Sequence, residues 1–360
     1  MIRQKIKGVV DSTLFSMAFD ELAEGHPLQY LFMEVTRRCN LHCVYCGSDC
    51  VTSAQGGEMP VERWIEIMRQ VARDFDPKKV MLAITGGEPL LKPGILDLFS
   101  EVHALGFPFG IVTNGTLVDP EFAKKLVATG IGSISISMDA PPEVNDTLRG
   151  RGVGAKAAAA VKNLQDAGFR GKLEILTTLT KPVVPHLDAM RGHVAAMRVP
   201  LWRLLPIMPI GRVTARPDLM IDGPDLRTAL DFIIKASKDG LVPKPIFGEE
   251  CYLGREYEAK VRPYRFLCKA GLTIGGIMYD GRVGACPELT QSFIQGDISR
   301  NTLREIWESR YSLFRDRSWT KKGKCAACDS FGVCRGGSLH LYAHPQDDMT
   351  RCLYQLLGGS

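Results

Sequence analysis

The sequence predicts an α/β protein, a partial (β/α)6 barrel followed by a smaller, cysteine-rich C-terminal domain. From about residue 31 to 207, short apolar runs alternate with helical stretches, the pattern of parallel strands joined by helical crossovers. The chain has 360 residues, of which 45% are hydrophobic, so it can bury one large core and carry an appended unit. Four of its 11 cysteines fall within residues 39–50 and four within 325–352.

The order of strands and helices defines the predicted barrel. The six strand-like runs are LFMEVT, VMLAIT, FGIVT, SISISM, LEILTTL and LWRLLPI, which begin at residues 31, 80, 109, 133, 173 and 201. Helix candidates follow them at 60–73, 93–104, 119–128, 154–167 and 184–197, with one more at 225–238. Six such strands suit a partial barrel, although periodicity alone also allows an open doubly wound sheet.

The alternation of strands and helices breaks after Pro206, and we predict a domain boundary near residue 240. Beyond it, LTIGGIMYDGRVGACPEL is typical of two strands joined by an Asp-Gly turn at 280–281. The remaining tail has little apolar periodicity, which predicts that bound metal rather than a core holds it together. The predicted organisation is an N-terminal extension (1–30), a barrel (31–240) and a C-terminal domain (241–360).

Charge and hydropathy exclude several classes of protein. The net charge is +5 from 45 basic and 40 acidic residues, with no long block of one sign, so nucleic acid is not an expected partner. No signal peptide and no run of 18 apolar residues occurs, so we expect a cytoplasmic protein without a membrane span. Because the cytosol keeps thiols reduced, the clustered cysteines are predicted to be metal ligands rather than disulfides.

A cysteine triad follows the first predicted strand. Cys39, Cys43 and Cys46 have the spacing C-x3-C-x2-C. Structural zinc normally has four protein ligands, whereas three thiolates this close together can hold three irons of a cubane and leave the fourth iron open. A zinc site completed by His42 or Cys50 is the alternative; otherwise Cys50 is a spare thiol.

The triad, with Tyr45 directly before its last cysteine, resembles the signature of radical S-adenosylmethionine (SAM) enzymes. The resemblance implies an oxygen-sensitive [4Fe-4S] cluster on Cys39, Cys43 and Cys46, with SAM bound at the open iron and Tyr45 beside its adenine. It also implies that a flavodoxin or ferredoxin reduces the cluster. SAM would then be cleaved to a 5′-deoxyadenosyl radical that abstracts hydrogen from a substrate.

Further matches to this family fall at the ends of successive predicted strands, where parallel α/β barrels carry their chemistry. Strand two ends in a GGEP sequence, in which glycines allow close backbone approach and the glutamate can accept from the SAM ammonium group. Thr177 and Thr178 at the end of strand five, and Leu205 at the end of strand six, fit plain strand positions better than cofactor contacts. The cofactor-binding residues that the resemblance implies are Tyr45, Gly86, Gly87, Glu88, Pro89, Asn114, Ser137, Asp139 and Arg149.

Three of these residues match family positions with specific roles. Ser137 and Asp139 would contact the ribose hydroxyls of SAM. Arg149 would pair with the SAM carboxylate, for which its fixed fork of donors is suited. A surface salt bridge is the alternative for Arg149.

The C-terminal cysteines resemble the SPASM/twitch domain, which carries auxiliary iron–sulfur clusters. The pattern is Cys268-x12-Gly281-x4-Cys286, then a C-x2-C-x5-C group and a final cysteine. The resemblance implies one four-thiolate auxiliary cluster, although by ligand count alone zinc fits as well. Its ligands would be Cys325, Cys328, Cys334 and Cys352.

One position departs from the SPASM pattern. Where the family has a further cysteine after Cys334, this chain has Ser338. A second auxiliary cluster would then be held by Cys251, Cys268 and Cys286, with one iron open to water, to a weak oxygen ligand or to substrate. The alternative for Cys251 is a buried, unligated thiol.

SPASM enzymes commonly act on ribosomally synthesised peptides, so the resemblance implies crosslinking, oxidation or epimerisation of a peptide or protein. The alternatives are a radical SAM enzyme acting on a small molecule, such as a tetrapyrrole side chain or a sugar alcohol, and a zinc-stabilised interaction module. The segments HCVYCGSDC, WRLLPIMPIGR and SFIQGDI resemble SPASM proteins of rSAM/lipoprotein systems. About 30 residues precede the signature, too few for a winged-helix leader-binding domain, so a peptide would be recognised by the barrel mouth, the tail or a separate leader-binding partner.

Overall fold

One mixed sheet of ten strands organises the described chain. The structure, a computed structural model, describes residues 2–53, 56–248 and 251–359, with side chains from residue 13 onward. The strand order across the sheet is β10-β9-β8-β1-β2-β3-β4-β5-β6-β7. The strands are β1 (Tyr30–Glu34), β2 (Met81–Thr85), β3 (Phe109–Thr113), β4 (Ser133–Ser137), β5 (Lys172–Leu179), β6 (Leu201–Pro206), β7 (Lys244–Phe247), β8 (Ile274–Ile277), β9 (Arg282–Gly284) and β10 (Gly296–Asp297).

Six consecutive parallel strands, β1 to β6, confirm the predicted partial barrel. The strand β7 continues the parallel arrangement beside β6. On the other side, β8 pairs parallel with β1, and β9 runs antiparallel to β8, as the Asp-Gly turn predicts. The C-terminal hairpin therefore lies against the first strand of the barrel.

Helices connect the parallel strands and pack one apolar face each against the sheet. In the first crossover helix, Trp64, Ile67, Met68 and Val71 recur three to four residues apart and are buried. The helices are α1 (Ile2–Gly25), α2 (Val61–Asp74), α3 (Ile95–Ala104), α4 (Pro120–Ala128), α5 (Pro142–Arg149), α6 (Val153–Asp166), α7 (Leu187–Ala196), α8 (Gly223–Lys238), α9 (Glu258–Val261), α10 (Leu303–Arg310), α11 (Ser312–Arg315), α12 (Phe331–Cys334) and α13 (Leu353–Leu356). Within the described residues, none of these helices is both long and apolar enough to cross a membrane.

Several described elements were absent from the sequence prediction, and three of them show why. The helix α1 lacks a marked apolar face, so its residues show no helical period. The helix α5 begins directly after Pro141 with Pro142, a pair that resembles a turn although proline is well tolerated in a first helical turn. The strand β7 is only four residues long and contains a proline, which is tolerated because it lies at the edge of the sheet.

The predicted domain boundary near residue 240 stays a prediction. The strand β7 lies beyond that position yet pairs with β6, and β8 pairs with β1. The large buried core likewise runs from the barrel into the C-terminal segment. The sheet and the core are thus continuous across the predicted boundary.

The C-terminal segment has an aromatic core that the sequence analysis did not predict. Trp307 and Tyr311 lie 4.6 Å apart between ring centroids, and Tyr311 and Phe314 lie 5.3 Å apart. Trp319 and Tyr342 meet edge to face at 5.1 Å. Trp307, Tyr311 and Phe314 are spaced four and three residues apart across two short helices, whereas Trp319 and Tyr342 come from short turns far apart in the sequence. Burial of aromatic surface therefore contributes to holding the tail, in addition to any bound metal.

We expect Trp307→Ala to destabilise the metal-free protein by about 3–5 kcal/mol, because the side chain is buried and a large cavity would remain. Urea unfolding of the chelator-treated protein measures this change. The control is Ser309→Ala, an exposed position of the same helix, for which we expect less than about 0.5 kcal/mol. An equal response of the two variants would mean that the tail is unfolded without metal.

Candidate active site

A cavity of about 240 Å³ lies at the carboxyl ends of the barrel strands. Parallel strands end at the same edge of a barrel, and this brings together residues that are far apart in the sequence. Of the three residues predicted to be plain strand positions, Thr178 and Leu205 are on its wall, whereas Thr177 is buried and donates to the Met138 carbonyl. The other sequence-predicted residues on the wall are Cys39, Cys43, Tyr45, Cys46, Gly86, Gly87, Asn114, Ser137 and Arg149.

Backbone hydrogen bonds join the two ends of the loop that carries the cysteine triad. The Cys39 N–H donates to the Val51 carbonyl at 2.8 Å, and the Val51 N–H donates to the Arg37 carbonyl at 3.0 Å. The thiol of Cys50, which the sequence analysis treated as spare, lies on the wall of the same cavity and is buried. Four thiols therefore line this cavity.

The environment distinguishes the thiols of the loop. The hydrogen bond between the Cys50 and Cys46 side chains lowers the pKa of Cys46 below its usual range, and the Arg212 guanidinium acts in the same direction. Burial instead raises the pKa of the Cys39 thiol to about 11. Thiolates are the form that binds metal, so the surroundings of Cys46 favour the ligating form and the burial of Cys39 opposes it.

The two glycines of the GGEP sequence allow the end of β2 to lie against the cysteine loop. The Gly87 N–H donates to the Thr36 carbonyl, and the Glu88 N–H donates to the Arg38 carbonyl, both at 2.8 Å. A Cβ atom on Gly86 would overlap the Thr36 carbonyl oxygen, and one on Gly87 would overlap that of Arg38. Only residues without a side chain permit this approach.

The remaining residues of that sequence lie behind the cavity wall. The Glu88 carboxylate is completely buried and accepts from the Thr113 hydroxyl at 2.8 Å and the Asn114 N–H at 2.8 Å. Burial raises its pKa to about 7. Pro89 is also buried. The predicted contact of Glu88 with the SAM ammonium group stays a prediction, and in this structure the carboxylate braces the ends of β2 and β3.

Arg149 and Asp139 form a buried ion pair. Two guanidinium nitrogens donate to the Asp139 carboxylate at 2.7 and 3.0 Å, and the Thr178 N–H and the Tyr45 hydroxyl donate to the same group. Burial alone would lower the pKa of Arg149, but the Asp139 charge raises it well above its usual range. The pair is buried, so the alternative of a surface salt bridge for Arg149 is wrong. The ribose contact predicted for Asp139 remains a prediction, since its carboxylate is engaged with these neighbours.

The segment after β6 supplies wall residues that the sequence analysis missed. The Arg212 guanidinium donates to the Asp49 carboxylate at 2.9 Å, to the Cys43 carbonyl at 3.1 Å and to the Cys50 carbonyl. Its backbone N–H donates to the Cys46 carbonyl at 3.0 Å. Arg212 thereby ties this segment to the cysteine loop. The sequence signal for this contact was the Gly-Arg pair just after the predicted sixth strand. The residues that Arg212 contacts lie about 160 residues earlier in the chain, so the sequence alone did not connect them.

The C-terminal hairpin also reaches the cavity. Glu288, two residues after Cys286, is on the wall, and its carboxylate would lie 3.2 Å from a Cβ atom built on Gly47. The sequence analysis did not select Glu288. The described structure therefore brings the C-terminal segment into direct contact with the cysteine loop.

The tail cysteines lie near one another in the described structure. The Cys251 N–H donates to the Ser338 hydroxyl at 3.1 Å, and the Cys251 thiol is 3.7 Å from the same oxygen. Cys334 lies within electrostatic range of Cys251, Cys352 and Cys325, and burial raises the pKa of Cys334 well above its usual range. No three ligand-type side chains of the described residues converge at the distance that a single metal ion requires. The cysteines named here are therefore neighbours in the fold, but their side chains do not converge on one point.

Replacement of Asp139 tests the buried pair. We expect Asp139→Asn to destabilise the protein by about 3–5 kcal/mol, because the Arg149 charge would stay buried without its partner. Urea unfolding provides the measurement, with Glu121→Gln, which removes one carboxylate of an exposed pair, as the control. Asp139→Asn combined with Arg149→Met should recover part of the loss. A single-variant loss no larger than that of the control would contradict the assignment.

Comparison with known proteins identifies the family. Residues 33–187 match the model of the radical SAM superfamily, and residues 268–329 match the SPASM model, described as an iron–sulfur cluster-binding domain. The chain is 30% identical over 317 residues to the mycofactocin maturase MftC of Mycobacterium tuberculosis, covering 86% of this chain and 78% of that protein. It is 26% identical over 342 residues to the AdoMet-dependent heme synthase of Methanosarcina barkeri, covering 89% of this chain and 95% of that protein.

Solved structures share the fold. The structure of anSMEcpe with bound AdoMet superimposes with a TM-score of 0.71 at 20% identity, covering 91% of this chain and 94% of the other. Streptococcus suis SuiB bound to the precursor peptide SuiA superimposes with a TM-score of 0.70 at 19% identity, covering 91% and 76%. Because the match to the maturase extends over the barrel and the cysteine-rich tail, this chain belongs to the radical SAM superfamily and is a radical SAM enzyme with a C-terminal SPASM domain.

Proposed function

We propose that this enzyme modifies a ribosomally synthesised peptide or protein, by crosslinking, oxidation or epimerisation. The cluster and SAM, when bound, supply the 5′-deoxyadenosyl radical that abstracts hydrogen from the substrate. The observation that carries the peptide assignment is the charge of the cavity wall. Among the described wall residues, both arginines already have carboxylate partners.

The residues of the cavity fit the cofactors of the family. Cys39, Cys43 and Cys46 would hold the cluster, since their thiols line one cavity and glycines bring β2 against their loop. Asn114 and Ser137 line the same cavity and would bind SAM through their polar side chains. Arg149 would orient the SAM carboxylate while Asp139 keeps the guanidinium in position.

The charge of the wall disfavours a polycarboxylate substrate. Arg212 pairs with Asp49, and Arg149, which pairs with Asp139, is already assigned to the SAM carboxylate, so neither wall arginine is left for the carboxylates of a substrate. Glu288 adds a carboxylate to the wall. A tetrapyrrole with several propionate groups would need unpaired cations, whereas a neutral or basic peptide would not. The apolar side chains of Ile207, Met208 and Ile210 provide the remaining contact surface.

The relatives support both a peptide substrate and a tetrapyrrole substrate, and the support for a peptide is stronger. A relative named a mycofactocin maturase matches at 30% identity, and heme synthases match at 25–26%. The tetrapyrrole is therefore the second candidate substrate. The neutralised cations of the wall favour the peptide over it.

We further propose two auxiliary iron–sulfur clusters. Cys325, Cys328, Cys334 and Cys352 would form a complete four-thiolate set. Cys251, Cys268 and Cys286 would hold the other cluster, and the Ser338 hydroxyl beside Cys251 supports a site in which oxygen replaces the fourth sulfur. One iron of that cluster would then be open to exchange with a substrate ligand.

The proposed reaction requires partners outside this chain. Flavodoxin or ferredoxin would deliver the electron that reduces the triad cluster. The barrel mouth, the tail or a separate leader-binding protein would recognise the peptide, and the cytoplasm would be the location of the reaction. These partners follow from the resemblance to SPASM enzymes.

The substrate class can be tested with anaerobically reconstituted full-length protein, SAM and a reductant. The probes are synthetic peptides encoded by short reading frames beside the gene and, for the alternative, iron-coproporphyrin III. We expect 5′-deoxyadenosine formation and a SAM-dependent mass change of the peptide only. In the matched control, Cys39, Cys43 and Cys46 are all replaced by Ala, which should abolish both products while circular dichroism shows an unchanged fold. Porphyrin turnover with an unmodified peptide would refute the peptide assignment.

The auxiliary clusters predict a defined iron content. Fully loaded protein should contain roughly 12 irons per chain if three cubanes are present. Cys251→Ala should lose one cluster while SAM cleavage survives. Ser338→Cys is the matched variant: a fourth thiolate should retain all iron and remove the distinct open-iron component from the Mössbauer spectrum. Unchanged iron in Cys251→Ala, or a wild type with only two clusters, would eliminate the open-site cluster.

A further inference from the structure

The C-terminal segment buries an arginine that has no acidic partner. Arg317 is 3% exposed, and it donates to the carbonyl oxygens of Phe314 at 3.0 Å, Cys268 at 2.6 Å and Ala270 at 3.0 Å. Its Nη1 atom is buried and donates to no acceptor among the described residues. The carboxylate of the neighbouring Asp316 accepts from Ser318 instead.

A buried charge of this kind needs compensation. Neutral carbonyl groups satisfy hydrogen bonds, but they do not replace the solvation that a cation loses on burial. Other buried arginines of this chain have carboxylate partners: Arg149 pairs with Asp139, and Arg262 pairs with Glu258 at 2.8 Å. In the described part of the chain, Arg317 forms no such pair. The counter-charge must therefore come from another group.

The surroundings of Arg317 indicate where that anion lies. The ring of Phe19 covers one side of the guanidinium at 5.6 Å, and the carbonyl groups occupy another. The hydrogen bond to the Cys268 carbonyl at 2.6 Å places the guanidinium beside a cysteine of the proposed auxiliary set. A cluster with thiolate ligands is an anion, and it would supply the missing charge.

We propose that Arg317 is the charge partner of the auxiliary iron–sulfur cluster at Cys268, where it stabilises the thiolates and raises the reduction potential of the cluster. This inference rests on the proposed auxiliary clusters. Reduction adds negative charge to a cluster, so a nearby buried cation favours the reduced form. Arg317 acts as a positioning and tuning residue, because it contacts the backbone of a ligand and not the substrate.

The test uses full-length protein reconstituted anaerobically, with potentials measured by redox titration monitored by electron paramagnetic resonance. Arg317→Gln removes the charge and keeps an amide donor, and Arg317→Lys keeps the charge. We expect Arg317→Gln to shift one auxiliary potential to a more negative value and to lose iron faster to a chelator. Arg317→Lys should stay near the wild type in both measurements.

A matched control lies two residues earlier. Arg315 is also partly buried, donates to the Trp307 carbonyl at 2.5 Å and stacks on Trp307 and Tyr311, with no cysteine among these contacts. Arg315→Gln should leave all potentials unchanged, which separates loss of charge near the cluster from general loss of packing.

Two results overturn the proposal. One is an unchanged auxiliary potential in fully loaded Arg317→Gln. The other is an equal loss of iron in Arg317→Lys and Arg317→Gln, which would show that the hydrogen bonds and not the charge matter. The variant Cys268→Ala tests whether a cluster is bound at Cys268 at all. It thereby separates a wrong role for Arg317 from the absence of the auxiliary cluster. If Cys268→Ala keeps the full iron content, no cluster is bound there, and both proposals fall.

Discussion

The close approach of the β2 end to the cysteine loop is the constraint on which the active site depends. Gly87 and Glu88 donate backbone hydrogen bonds to Thr36 and Arg38, and a side chain on either glycine would collide with those carbonyls. This contact fixes the start of the loop, while Arg212 holds its far end through the Cys43 and Cys50 carbonyls. A loop of three cysteines has no core of its own, so its shape is set by the backbone and guanidinium groups around it. The three thiols consequently face one cavity before any metal binds.

The buried arginines of this chain differ in how their charge is compensated. Arg149 is matched by Asp139 in the barrel, and Arg262 is matched by Glu258 in the C-terminal segment. In the same C-terminal segment, Arg317 has backbone carbonyls but no carboxylate among the described residues. The surroundings of Arg317 should therefore depend on a bound anion more than those of the two paired arginines. The aromatic core around Trp307 adds apolar burial that holds the C-terminal segment independently of such an anion.

Much of the barrel could be predicted from the sequence because each strand and turn depends mainly on residues that are adjacent in the chain. The run FGIVT became β3 at the predicted residues, and the Asp-Gly turn joined β8 to β9. The missed features depend on contacts between distant segments. Arg212 reaches carbonyls about 160–170 residues earlier, and Glu288 arrives from a hairpin after the barrel. Cys50 seemed spare because its spacing fits no ligand pattern, yet folding brings its thiol beside that of Cys46.

The pairing of β8 with β1 joins the chemistry of the tail to that of the barrel. Met33 of β1 lies opposite Ile277, so the hairpin pairs with β1 close to the end after which the cysteine loop begins. Nine residues after β8, Cys286 follows the second hairpin strand, and Glu288 then reaches the cavity wall. A substrate that enters the cavity would meet groups from both parts of the chain. Because a hydrogen-bonded sheet sets the distance between them, the proposed open iron of the auxiliary cluster would keep a fixed position relative to the site where the radical forms, as electron transfer from an oxidised substrate requires.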